Sequence, residues 1–178
     1  MKRDPIYGIM AEFETPTALL DAARRTYQAG YRKIDAYTPF PVEGLAEEIG
    51  FHHNAVALVV LIAGIIGAST GYLLQWYCDA YSYPLNIGGR PLNSWPSFII
   101  ITFELTILFG GISAVLGMLA LNGLPMPYHP VFNVPRFALA SKDRFFLIVF
   151  SSDGKYNPQQ TRAFLETLQP RSIQEVPS

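Results

Sequence analysis

One carboxylate, Glu104, stands within an otherwise uncharged apolar run at residues 97–121 (SFIIITFELTILFGGISAVLGMLAL). A run of this length reads as a membrane-crossing helix, where a charge costs roughly 2.5–3.5 kcal/mol on insertion scales, so the residue needs a chemical reason. A second apolar run, residues 55–77 (AVALVVLIAGIIGASTGYLLQWY), precedes it. With the two runs antiparallel and aligned by their ends, Ser69 and Thr70 lie level with Glu104 and can hydrogen-bond it. Two chemistries are open: a proton-handling carboxylate beside a water path, or a neutral carboxylic acid donating a structural hydrogen bond to Ser69, Thr70 or a neighbour.

Other reactive side chains are sparse. The single cysteine, Cys78, falls at the end of the first apolar run and allows neither an internal disulfide nor a paired-cysteine metal, redox or haem motif. His52, His53 and His129 sit at the expected cytoplasmic ends of the runs rather than facing each other within them, which suits interfacial or capping roles and not a haem held between two helices. Asp153-Gly154 in SSDGKYNPQQ has one glycine, too few for a phosphate cradle, and reads as a turn. No grouping of Ser, His and Asp is justified by spacing. The sequence therefore implies no cofactor-binding, metal or catalytic set of its own.

The elements that must position Glu104 are the two runs themselves. About 23 residues of helix cover about 30 Å of hydrocarbon, so residues 55–121 read as a transmembrane hairpin with a connecting loop at 79–96. Gly64, Gly67 and Gly71 in the first span, and Gly110, Ser113 and Gly117 in the second, each fall on one helix face. Small residues let helix backbones approach, so these stripes read as packing seams, facing each other or facing partner subunits.

The flanks repeat one pattern. Residues 6–13 form an apolar strand, Thr15-Pro16 an N-cap that starts a helix with Gly30 as its stop, and residues 31–38 a more polar strand closed by Pro39 and Pro41. After the hairpin, residues 145–150 (FFLIVF) are again an apolar strand, Asn157-Pro158 a second cap, residues 159–168 an amphipathic helix, and residues 172–176 a polar strand. Each half is too small to bury a core alone, whereas one sheet built from both buries enough. The expected fold class is a membrane α+β protein: a transmembrane α-hairpin inserted between two βαβ units that form one ferredoxin-like cytoplasmic sheet. Its expected parts are residues 1–50 (first half-domain), 51–124 (hairpin) and 125–178 (connector and second half-domain). Pro-rich connectors at residues 39–41 and 124–135 lead between membrane and sheet.

The net charge of −1 and the lack of a basic stripe with interleaved aromatics give no support to nucleic-acid binding. Lys2, Arg3, Arg24, Arg25, Arg32 and Lys33 precede the hairpin and Arg136, Lys142 and Arg144 follow it, while the loop holds only Arg90. Both termini are expected to be cytoplasmic and the loop periplasmic, where Trp76, Tyr77, Tyr81, Tyr83 and Trp95 meet the outer headgroups. The opening MKRDPIYGIM carries no apolar signal core, so the first span is expected to act as the insertion signal.

The loop is too rich in special residues for a simple connector. YPLNIGGRPLNSWPSF followed by TFELTIL, together with LPMPYHPVFN, SKDRFF and the opening TPTALLDAARRTYQAGYRKIDAYTPFPVEGL, resembles the small two-span membrane subunit, ActD, of bacterial alternative complex III. The pattern departs at Ile100, where the family carries Pro. The resemblance implies a structural, non-catalytic subunit of a quinol-oxidising complex in the bacterial inner membrane, part of a respiratory or photosynthetic chain, which passes electrons to a cytochrome or high-potential iron–sulfur protein. It also implies that haem c, iron–sulfur clusters and quinol belong to partners: quinol-binding membrane subunits, a multihaem cytochrome and an iron–sulfur subunit. Two rival readings are an accessory subunit of an ion transporter with Glu104 on the ion path, and an independent membrane enzyme with its site on the sheet domain. The second is disfavoured by the missing nucleophile, metal cluster and phosphate loop.

Overall fold

The computed structural model describes residues 6–51 and 55–178; Lys2, Arg3, His52 and His53 lie outside the described residues. The chain divides into two units, the described residues of Met1–His52 with Pro127–Ser178, and those of His53–Met126.

The first unit is built from both flanks. Strand β1 (Ile6–Phe13) leads to helix α1 (Pro16–Gln28) and strand β2 (Ile34–Tyr37), with a single helical turn, α2 (Leu45–Glu48), before the hairpin. Thr15 caps α1, its hydroxyl accepting from the Ala18 N–H at 3.2 Å, and Gly30 follows the helix at φ 98°, a conformation that glycine adopts without strain. Beyond the hairpin come strand β3 (Phe145–Phe150), a helix (Pro158–Thr167) and strand β4 (Ser172–Pro177). Asn157 caps that helix through bonds of 3.1 and 3.2 Å from the N–H groups of Gln159 and Gln160.

Among the described residues the four strands form one antiparallel sheet in the order β2-β3-β1-β4. The two apolar strands are thus central and the two polar ones lie at the edges. Every ladder joins a strand from before the hairpin to one from after it: β1 with β3, β1 with β4, and β2 with β3.

Alternation along the strands divides the core into two faces. Ile9, Ala11, Phe13, Leu147 and Val149 pack with Leu19 and Ala23 of α1 and with Leu165 of the last helix. Met10, Phe146, Ile148 and Val176 point to the other face. Two tight 3₁₀ turns, Pro130–Asn133 and Pro135–Ser141, cover this second face and bury Val131, Val134, Phe137 and Ala140 against it. These four recur every third residue, the period of a 3₁₀ helix. The segment expected to be a plain connector is in its second half a core-covering layer.

The second unit is the hairpin. Helix α3 (Ala55–Trp76) continues into a π-helical turn at Tyr77–Ser82, and α4 (Trp95–Leu121) returns antiparallel to it; with these, the helix at Pro158–Thr167 is α5. Both long helices have the length and composition to cross a membrane. A Cβ added at Gly67 would lie 2.4 Å from the Leu105 carbonyl oxygen and 2.9 Å from the Phe109 Cβ, and one at Gly71 2.9 Å from the Thr102 Cα. Gly117 lies similarly against Val59, at 3.2 Å. Each small-residue stripe therefore turns toward the other helix of the hairpin, but at different depths and against larger residues: Gly64, Gly67 and Gly71 against residues 102–109, and Gly110 and Gly117 against Val60 and Val59.

Candidate functional site

In the hairpin, the register set by Gly67 against Leu105 and Gly71 against Thr102 brings Ser69 and Thr70 close to the depth of Glu104. The azimuth differs. Thr102, Leu105, Thr106 and Phe109 turn toward α3, and Glu104, rotated off that face, is exposed, as are Ser69 and Thr70 on the outward side of α3. Among the described residues Glu104 has no hydrogen-bond or ion-pair partner, and its bond to Ser69 or Thr70 is not formed. Polar contact between the two helices comes instead from Gln75, whose amide nitrogen donates to the Gly71 carbonyl at 2.9 Å and to the Phe98 carbonyl of α4 at 3.0 Å. In the loop, Arg90 pairs with Asp79 at 3.2 Å and the Asn86 side chain accepts from the Gly89 N–H at 3.0 Å. An apolar groove of about 600 Å³ runs between the helices, lined by Val59, Ala63, Phe109, Ile112 and Leu116 among others.

The sheet unit holds a polar centre that residue spacing did not reveal. Glu12 is buried at 2 % exposure near the end of β1. Arg136, from the second 3₁₀ turn, donates to both its oxygens at 2.7 and 2.6 Å, and the Ser172 hydroxyl of β4 donates at 2.8 Å. Arg144 and Arg171 approach it at 3.6 and 4.0 Å. The Arg136 hydrogen bonds hold the Glu12 carboxyl below its ordinary range against the opposing effect of burial, with Ser172 and the Arg171 charge adding to them. The group is a charge-paired clasp between strand and covering segment, with its oxygens occupied by protein donors.

Asp153, read as a turn residue, is a second such clasp. One oxygen accepts from the N–H groups of Arg32 and Lys33 at 2.7 and 2.6 Å and the other from the Lys155 N–H at 2.8 Å, tying the loop after β3 to the entry of β2. Burial works to raise its pKa, but the N–H groups of Lys33, Lys155 and Arg32 together with the Lys33 charge outweigh it and leave it lowered. His129 caps the first 3₁₀ turn, its Nδ1 accepting from the Val131 N–H at 3.4 Å, and its Nε2 lies 3.3 Å from the Tyr7 hydroxyl. Burial, then the Asp35 charge, pushes the Tyr7 and Tyr37 phenols up, so both remain neutral at ordinary pH.

Cys78 is solitary and exposed, His129 is engaged as a cap, and among the described residues no three His, Cys, Asp or Glu side chains are grouped to hold a metal. A sequence with one cysteine does not supply the four thiolates of an all-cysteine iron–sulfur cluster.

Two antiparallel helices long and apolar enough to cross a membrane, packed through glycine seams and joined to a folded sheet unit, have the length and composition of a small two-span membrane protein. The family described as alternative complex III, ActD subunit, matches residues 7–175. This span is nearly the whole sequence, so the chain belongs to the ActD family and is a subunit of alternative complex III. No curated protein matches the chain.

Proposed function

We propose that this chain is a non-catalytic integral membrane subunit that stabilises the quinol-binding membrane subunits of a quinol:cytochrome c, or quinol:high-potential iron–sulfur protein, oxidoreductase. The observation that carries the proposal is the family match over residues 7–175. The single cysteine of the sequence provides no thiolate set for a cluster, in keeping with iron–sulfur clusters, haem c and quinol lying in partner subunits. The strand order β2-β3-β1-β4 supports reading the sheet as ferredoxin-like. Because every strand pairing joins the two flanks, both flanks share one side of the inner membrane, as two spans allow. The excess of Lys and Arg on the flanks over the lone Arg90 in the loop supports a cytoplasmic side for the sheet and a periplasmic one for residues 79–96.

The test is purification through an affinity tag on this chain in mild detergent, with and without the chain in the host. The expected result is a large assembly with haem absorbance and quinol oxidation, and, without the chain, dissociation of the membrane subunits from the rest. Intact assembly and activity in the deletion strain would refute the stabilising role. Ion flux through proteoliposomes of the chain alone would establish the transporter reading instead. In a Cys78→Ser background, Leu85→Cys should react with an impermeant thiol reagent in intact spheroplasts; labelling only after lysis would reverse the orientation.

A further inference from the structure

We infer that the face of α4 bearing Glu104 docks on a transmembrane helix of another subunit of the complex, and that this helix presents a hydrogen-bond-donating side chain at the depth of Glu104. The inference rests on the membrane-subunit reading above and specifies which surface makes the assembly. Glu104 is the tenth residue of α4, about 14 Å along a helix of about 40 Å, and so lies within the hydrocarbon layer if α4 spans the bilayer. Among the described residues Glu104 has no partner, because α3 occupies the opposite side of α4. Intramembrane carboxylates face protein or a water-filled cavity and find a partner there; facing lipid leaves both carboxyl oxygens without a donor.

The surroundings of Glu104 suit a helix. Ile100, Ile107, Leu108 and Val115 lie at helical spacing around it and are all exposed, forming an apolar strip with the carboxylate inside it. Two turns on, Gly111 opens the strip: a Cβ there would meet nothing within 4 Å, so a neighbouring backbone can come close, as happens at Gly67 on the inner seam. The outward side of α3 offers a contrast. Leu58, Ile62, Ile65, Ile66 and Leu73 are exposed there with the hydroxyl residues Ser69 and Thr70, and no carboxylate or basic residue occurs from Ala55 to Trp76, which is a surface lipid can cover.

The test uses the assembled complex in native membranes. A photoreactive benzoylphenylalanine at Leu108, and in a second strain at Leu73, is irradiated and the products are identified by mass spectrometry. The expected product at Leu108 is a crosslink to a membrane helix of another complex subunit that carries Lys, Arg, Ser, Thr, Asn, Gln, Tyr or Trp within one turn of the contact. Leu73 should yield lipid adducts. Glu104→Gln, which keeps a donor and an acceptor, should leave the chain bound to the complex through detergent washing, whereas Glu104→Leu should lower retention about 5- to 30-fold. Lipid adducts only at Leu108, a crosslink to a second copy of this chain, a crosslinked helix without a donor, or full retention of Glu104→Leu would each overturn the inference. Failure of the wild-type chain to co-purify with any complex subunit would instead refute the membrane-subunit reading itself, so the two failures are distinct.

Discussion

Glu12 shows how a charge can be kept inside an apolar sheet. Its two oxygens are taken up by Arg136 and Ser172, which lie 124 and 160 positions away in the chain. That separation is why residue spacing could not reveal the clasp: in the sequence Glu12 is one polar letter in an apolar strand, and Arg136 one basic residue in a Pro-rich segment. Glu12 and Asp153 are both held below the ordinary carboxylate range. The unfolded chain therefore binds more protons than the folded one as pH falls through the usual carboxylate values near 4, and stability declines in that direction. Their contribution is complete above about pH 5 and is lost progressively below about pH 4. Thermal unfolding of the full chain in detergent, followed from pH 7 to pH 3, should show this acid limb. Glu12→Gln should destabilise the sheet at pH 7 by about 2 kcal/mol, because the hydrogen bonds to Arg136 lose their charge, and should flatten the acid limb. An acid limb of the same steepness in the variant would show that Glu12 is not its source.

Between elements, the outcome turns on helix azimuth and on period. The alignment of span ends gave a depth for Glu104 close to that set by the glycine contacts, but the small-residue stripe fixes which side of α4 is inward, and Glu104 lies off the Thr102, Leu105 and Phe109 side. A helical wheel centred on Gly110, Ser113 and Gly117 would have shown it. The covering turns are a similar case, since Val131, Val134, Phe137 and Ala140 follow a strict three-residue period, but Pro130 and Pro135 invite a linker reading. The seam makes an asymmetric prediction about substitution. Gly67→Val must displace the Leu105 backbone and should weaken the hairpin by about 1–3 kcal/mol, whereas Gly111→Val enters open space and should leave it unchanged. Fluorescence transfer between labels at the two ends of the hairpin, measured during denaturation in detergent, reads the difference directly. Equal effects of the two substitutions would mean that the glycine seam does not set the approach of α3 and α4.

At the scale of the whole molecule, the repeated order of apolar strand, capped helix and polar strand made the shared sheet legible, because each half shows a hydrophobic strand with nothing in its own half able to cover it. What pattern could not show is how complete the exchange is. In the order β2-β3-β1-β4, the two strands of the first half are not neighbours, nor are those of the second; all three ladders cross the hairpin. Neither half therefore keeps a single ladder when the other is removed, and the whole backbone hydrogen bonding of both apolar strands depends on chain synthesised on either side of the membrane insertion. A chain ending at Leu121 loses both partners of β1 and the one partner of β2, together with the covering turns on the second face. Limited proteolysis in membranes should then cut within residues 6–38 far faster than in the full chain, while the hairpin stays protected by the bilayer. Co-expression of a fragment spanning residues 125–178 should restore protection, since it supplies β3 between β1 and β2 and β4 on the outer edge of β1. Undiminished resistance of the truncated chain would mean that the first half has a fold of its own, and with it the requirement that the sheet closes only after both spans have been made would disappear.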